Sequence, residues 1–200
     1  MQLIFVASNM LRRLILLLFS LSFINTQTAL PPFQALHTPQ NTSGTPENTL
    51  QSSGLSYDTR SVPWNYLFGF TFTPQVNGTI TRLGGYYNGT KTVYLWWFSD
   101  GSYLGSVSNY ASNTWTYTDL ESSVSVVSGI EYFVGVAING SWGARIYFSD
   151  GNLPYTYGNV TINKSYYERG SFSSTTMPTN WDGVNLQYTW VVPDITFVPN

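Results

Sequence analysis

Alternation is the feature that most constrains this chain. From Tyr66 onward, apolar and polar side chains change places at every second residue in short runs, each closed by Gly, Pro, Asn, Asp or Ser. A period of two sends successive side chains to opposite faces of a strand, whereas a surface helix repeats its apolar residues every three or four. Thr90–Ser108 shows it most clearly. Val93, Leu95 and Trp97 fall on one face, and Thr92, Tyr94, Trp96 and Phe98 fall on the other. Ser99-Asp100-Gly101-Ser102 then supplies the Asp-Gly pair that accepts a hairpin turn, and Tyr103, Leu104 and Val107 begin the return. Such a ribbon is marginal alone and needs further strands to cover it.

The rest of the chain offers them. Tyr66–Thr73 carries Phe68, Phe70 and Phe72 on one side. Thr79–Tyr87 follows, and Asn88-Gly89 reads as the turn that separates it from the Thr90 strand. Thr114–Leu120 alternates Trp115 and Tyr117 with threonines, and Val124–Val127 is closed by Ser128-Gly129. Ile130–Ile138 is apolar or small on both faces and reads as a buried strand, its Gly135 and Ala137 permitting close approach. Ala144–Phe148, Asn159–Ile162, Asn185–Val192 and Ile195–Val198 complete the series. About ten strands at this spacing predict an all-β fold, a two-layer antiparallel β-sandwich of jelly-roll type with almost no helix.

Ahead of this region the composition changes twice. Arg12 and Arg13 precede an eleven-residue apolar run, Leu14–Ile24. That run is short for a bilayer-spanning helix of about 20 residues and suits a secretory signal, so residues 1–29 are expected to be removed on export. A retained anchor is the alternative. Residues 30–56 hold Pro31, Pro32, Pro39 and Pro46 among Thr, Ser, Asn and Gln, and read as an extended linker to a domain at 57–200. The expected location is extracellular or at the cell surface, with no membrane span after cleavage.

Composition narrows the chemistry. Charged residues are 9% of the chain and the net charge is −2, with the basic residues beyond Arg12-Arg13 scattered singly, so no stripe exists for a phosphate backbone and nucleic acid is not an expected partner. Without cysteine, disulfides, thiolate metal sites and cysteine nucleophiles are excluded. The lone histidine, His37, lies in the linker, so a Ser-His-Asp site has no positioned base. A glycosidase needs two facing carboxyl groups, for which Glu131, Glu168 and Asp182 are the candidates. Glu131 reads as a strand-end residue and Glu168, beside Arg169, as solvated. Phe98-Ser99-Asp100-Gly101 recurs as Phe148-Ser149-Asp150-Gly151. Asp100 and Asp150 are thereby weak calcium candidates, although two hairpins with the same turn chemistry explain the echo more simply. No other cofactor is expected.

The order of landmarks resembles a known pattern. Phe70-Thr71-Phe72-Thr73-Pro74, Asn77-Gly78-Thr79-Ile80-Thr81, Trp96-Trp97 ahead of Asp100-Gly101, Ser128-Gly129-Ile130-Glu131-Tyr132-Phe133-Val134 and the terminal Asp194–Pro199 occur in sequence. Together they resemble the uncharacterised β-sandwich modules of bacterial secreted and surface proteins. Those modules carry Leu before their Trp, where this chain has two adjacent tryptophans. The resemblance implies a sandwich in an extracellular setting, often beside adhesive or carbohydrate-active domains, and brings no catalytic residues.

Recognition is therefore expected to rest on aromatic rings. With Val93, Leu95 and Trp97 inward, Tyr94 and Trp96 form an outer stripe that Trp115 and Tyr117 extend across strands, unless the Tyr166–Val184 excursion containing Trp181 covers it. Trp142, in the Asn139–Gly143 loop, is a further candidate. Rings with few charges around them suit stacking on sugar faces. The expected function is non-catalytic binding of a glycan or another cell-surface component. Alternatives are a self-associating subunit of an extracellular layer or filament, and a carbohydrate-active enzyme. Six N-x-Ser/Thr sequons, at Asn41, Asn77, Asn88, Asn139, Asn159 and Asn163, are glycosylation candidates.

Overall fold

The computed structural model describes residues 44–60, 64–139, 143–147, 153–173, 175–190 and 192–200. The segment read as a signal, His37, Asn41, Trp142, Asp150 and the side chain of Asn139 lie outside the described residues. The fold is all-β and antiparallel, as the alternation predicts. In chain order the strands are β1 (Glu47–Asn48), β2 (Tyr57–Arg60), β3 (Asn65–Pro74), β4 (Gly78–Trp97), β5 (Tyr103–Val126), β6 (Tyr132–Asn139), β7 (Gly143–Tyr147), β8 (Tyr155–Tyr157), β9 (Val160–Arg169), β10 (Gly183–Asn185), β11 (Tyr188–Thr189) and β12 (Val192–Pro199). One 3-10 turn, Gln51–Ser53, precedes β2. Among the described residues no helix is long and apolar enough to cross a membrane.

Two long strands organise the fold. The sequence reads a turn at Asn88-Gly89, but β4 runs through it for twenty residues and β5 accompanies it for twenty-four. The register slips between Tyr87 and Asn88, where Gly89 (φ 84°) and Asn113 (φ 54°) take left-handed conformations on the two strands. Both strands therefore bend together instead of reversing, which is what a bulge does to a pair. Inside the bend, Tyr87 donates its phenol to Asn109 Oδ1 at 2.7 Å, and Asn109 Nδ2 donates to Thr118 Oγ1 at 3.0 Å. This buried chain ties the two limbs of β5.

Past the bend, each limb of β4 recruits a different set of strands. Residues 78–86 pair with β12, which carries β1 on its far side. Residues 92–97 pair with β6, followed by β3 and β9. β12 then lies against β6 and β3 without pairing to them, so one continuous sheet folds into the two layers of a sandwich. Phe68, Phe70, Phe72, Val93, Leu95, Val134 and Val136 from one layer meet Ile80, Leu83, Val124, Ile195 and Phe197 from the other. Tyr132–Ile138 is buried throughout, as a central strand requires.

The linker boundary differs from the expectation. Residues 44–56 belong to the fold: β1 pairs with β12, and Leu50, only 2% exposed, joins the core. Asp194 explains why a polar, Pro-bearing segment is held. Its buried carboxylate accepts from the N–H groups of Leu50 (3.0 Å), Gln51 (3.1 Å) and Ile195 (2.9 Å) and from the Tyr117 phenol (2.7 Å). Long-range polar pairing of this kind leaves no periodic trace in a sequence.

Candidate functional site

The face that carries Tyr94 and Trp96 is closed. Trp96 is 1% exposed and Tyr94 is buried, their rings stacked at 5.0 Å. They lie with Leu67, Phe133, Ala137, Tyr166 and Met177 in a second core beneath the chain 170–182. Trp96 Nε1 donates to the Thr175 carbonyl at 2.6 Å, and Trp181 packs on Phe133 (4.9 Å) and Tyr166 (5.0 Å). Gly69 and Gly135, paired across β3 and β6, leave room for the Phe133 ring, and a Cβ on either would collide with it. The excursion that sequence reading named as the possible cover is the cover. Trp115 and Tyr117 do not extend the stripe, because they lie beyond the bend. Trp115 packs edge-on against Tyr86 at 5.8 Å, and Tyr117 reaches across Gly84 to Asp194, with Arg82 over its ring at 5.5 Å. Burial, together with the neighbouring Asp194 carboxylate, pushes the Tyr117 phenol up.

The candidate carboxylates each accept a hydrogen bond from within the fold. Glu131 accepts from Asn163 Nδ2 at 2.9 Å, Glu168 accepts from the Asp182 N–H at 2.9 Å, and Asp182 accepts from the Arg169 N–H at 2.7 Å. Strand register separates the backbones of Glu131 and Glu168 by about 20 Å along β3, well beyond the roughly 5–9.5 Å of a glycosidase pair. Asp100 is exposed and closes its own hairpin turn by accepting from the Ser102 N–H at 2.8 Å, and the Ser102 hydroxyl, followed by that N–H, holds its carboxyl below the usual range. Among the described residues no three His, Cys, Asp or Glu side chains converge on a point.

The sequons divide in two. Asn77 and Asn88 are exposed at the start and bend of β4, and among the described residues the Asn77 side chain uses only its oxygen, accepting from the Ser128 N–H at 2.9 Å. Asn159 donates Nδ2 to Glu47 Oε1 at 2.7 Å, and Asn163 donates Nδ2 to both Thr73 and Glu131 at 2.9 Å.

Among the described residues two concavities stand out. One, of about 350 Å³, lies between the hairpin tip and the covering chain, with Phe98, Asp100, Met177 and Trp181 in its wall. The other is a groove at the start of β3 and the end of β9. Its inner part, about 180 Å³, is walled by Tyr66, Phe68, Tyr167, Arg169 and Trp190, and its outer part, about 530 Å³, by Trp64, Asn65, Tyr66, Arg169 and Gly170. Strand pairing assembles it. Tyr66 sits opposite Arg169 and Phe68 opposite Tyr167, so β3 and β9 contribute alternate residues to one face. The rings lie at 4.7 Å (Tyr66–Phe68), 6.1 Å (Tyr66–Tyr167), 6.0 Å (Tyr167–Trp190) and 6.5 Å (Phe68–Trp190). Arg169 is held further above its ordinary value, first by the Asp182 carboxylate and then by its hydrogen bond to Tyr66. Asn65 Nδ2 donates to Ser171 Oγ at 2.7 Å, and the Gly170 N–H donates to the Asn65 carbonyl at 2.9 Å, fixing the rim.

Trp64 stands at the mouth of this groove and is 67% exposed, the most exposed large apolar side chain among those described. Sequence reading missed it because it falls before the first alternating run and has no periodic partner. The available signal was an aromatic residue directly after Pro63 at a strand entry. No family model matches the chain, and no curated protein matches it.

Proposed function

We propose that the protein is a non-catalytic recognition module that binds a glycan of the extracellular or cell-surface environment through the Trp64 groove. Exposed Trp64 at the mouth of a ring-lined groove carries the reading. A sugar ring presents a C–H face that stacks on an aromatic plane and an equator of hydroxyl groups that need fixed polar partners. Trp64 supplies a free plane, Tyr66 and Tyr167 line the floor, and the Arg169 guanidinium and Asn65 stand at the rim. Strands, not loops, hold Tyr66, Tyr167 and Arg169, so little ordering cost falls on binding. The sequence resemblance to secreted β-sandwich modules supports the same setting.

The test is a glycan array followed by titration of the retained polysaccharide against wild type, Trp64→Ala and Trp96→Phe. Wild type and Trp96→Phe are expected to bind alike, and Trp64→Ala at least tenfold more weakly with an unchanged far-ultraviolet spectrum. Equal retention of wild type and Trp64→Ala removes the groove from the explanation.

A further inference from the structure

The edges of the folded sheet differ sharply in length. β1 has two residues and β8 and β10 have three, and edges this short offer little to a passing strand. β5 has twenty-four, and among the described residues β4 is its only strand partner. No loop among the described residues hydrogen-bonds to its outer edge between 104 and 112. Bulges at Leu104 and Asn113 bound this edge, and between them the other protections are missing. Gly105–Ser112 contains no Pro, no Lys and no charge of either sign, and the two acidic residues of the strand, Asp119 and Glu121, come after the bend at Asn113.

From these observations we infer that β5 is a dimerisation edge, and that its occupant is the β5 edge of a second copy, paired antiparallel about a two-fold axis at Ser108. Charge favours a second copy as the partner, and parity narrows the register. An antiparallel two-fold brings an edge against an identical edge, so any net charge on it would face the same net charge, and this stretch has none. Val107, Asn109 and Ala111 face inward, while Ser108, Tyr110 and Ser112 are exposed on the other face. Directly opposed residues share a face, so odd positions must meet odd positions and even must meet even. Centring on Ser108 satisfies this, sets Gly105 against the partner's Ala111 between the bulges at Leu104 and Asn113, and leaves Asp119 and Glu121 outside the paired segment. The paired edge so formed is about 23 Å long.

Side chains fit the same register. Tyr110, 64% exposed, falls opposite its partner's Ser106, and Tyr103 holds Ser106 on the same face through a 2.8 Å hydroxyl contact. Each Tyr110 ring thereby gains the partner's Tyr103 as a neighbour. The contact is isologous and closes at two copies, so it yields a dimer and not a filament.

The test is sedimentation of the purified protein over a range of concentrations, with Ser108→Lys, Ser108→Glu and Ser122→Lys variants and a thermal melt of each. Wild type is expected as a dimer. Ser108→Lys and Ser108→Glu each raise the dissociation constant at least tenfold with little change in melting temperature, and an equimolar mixture of the two recovers a heterodimer. Ser122→Lys, exposed on the far limb, leaves the dimer intact. A monomeric wild type at all concentrations overturns the inference. So does equal dissociation by Ser108→Lys and Ser122→Lys, or failure of the charge-swapped mixture to associate.

Discussion

Replacing Asp194 with Asn should change how the stability of this fold responds to acid. Asp194 is completely buried, and burial pushes its carboxyl up to about 6 despite three backbone N–H groups and the Tyr117 phenol, which pull the other way. In the unfolded chain a carboxyl of this kind titrates near 3.8. Between these values the folded state holds the extra proton, so stability contributed by this group is full below 3.8 and is lost as pH rises through 6. Two-state linkage with those constants gives about 1 kcal/mol of added stability for wild type on going from pH 7 to pH 5. For a domain of this size that is a rise of about 2–4 °C in melting temperature. Asn carries no titrating proton and keeps an acceptor for Leu50 and Ile195, but it turns an N–H group toward Gln51. Asp194→Asn should lose the acid-induced gain, while other carboxylates contribute equally to both proteins and cancel in the difference. Calorimetry or fluorescence melts at pH 7, 6 and 5 measure that difference directly. Parallel wild-type and variant curves, or a carboxyl carbon resonance for Asp194 that titrates below 4, would refute the reasoning.

Two further outcomes follow from other contacts. Trp96→Phe keeps the ring stack in the second core but deletes the Nε1 donor to the Thr175 carbonyl, and should cost about 1–2 kcal/mol in urea unfolding and expose chain 170–182 to faster proteolysis. In a host that glycosylates secreted proteins, peptide mass spectrometry should find glycan on Asn77 and Asn88 in the folded, secreted product and little on Asn159 or Asn163, whose amide nitrogens are committed to Glu47, Thr73 and Glu131.

Local chemistry determined a large part of this protein from the sequence alone. Period-two alternation is a property of neighbours, so Phe68, Phe70 and Phe72, or Val93 and Leu95, declare their common face without a partner in view. Turn residues act over four positions, which is why the Asp100-Gly101 hairpin and the Ser128-Gly129 reversal stand where they were read. The same logic misread Asn88-Gly89. Positive φ is needed both for a reversal and for a bulge, and only the strand lying alongside decides between them. The domain start behaves likewise: Leu50 and its polar neighbours look like linker until Asp194, 144 residues away, supplies an acceptor. Aromatic content promised rings for recognition but could not say which remain open. Tyr94, Trp96 and Trp64 are alike as residues, and exposure is set by what folds over them. Chain 170–182 covers the first two, and Trp64 lies at the rim where the sheet ends. Faces and turns were written locally; which face is closed, which strand bends and which edge stays open came from contacts between distant segments.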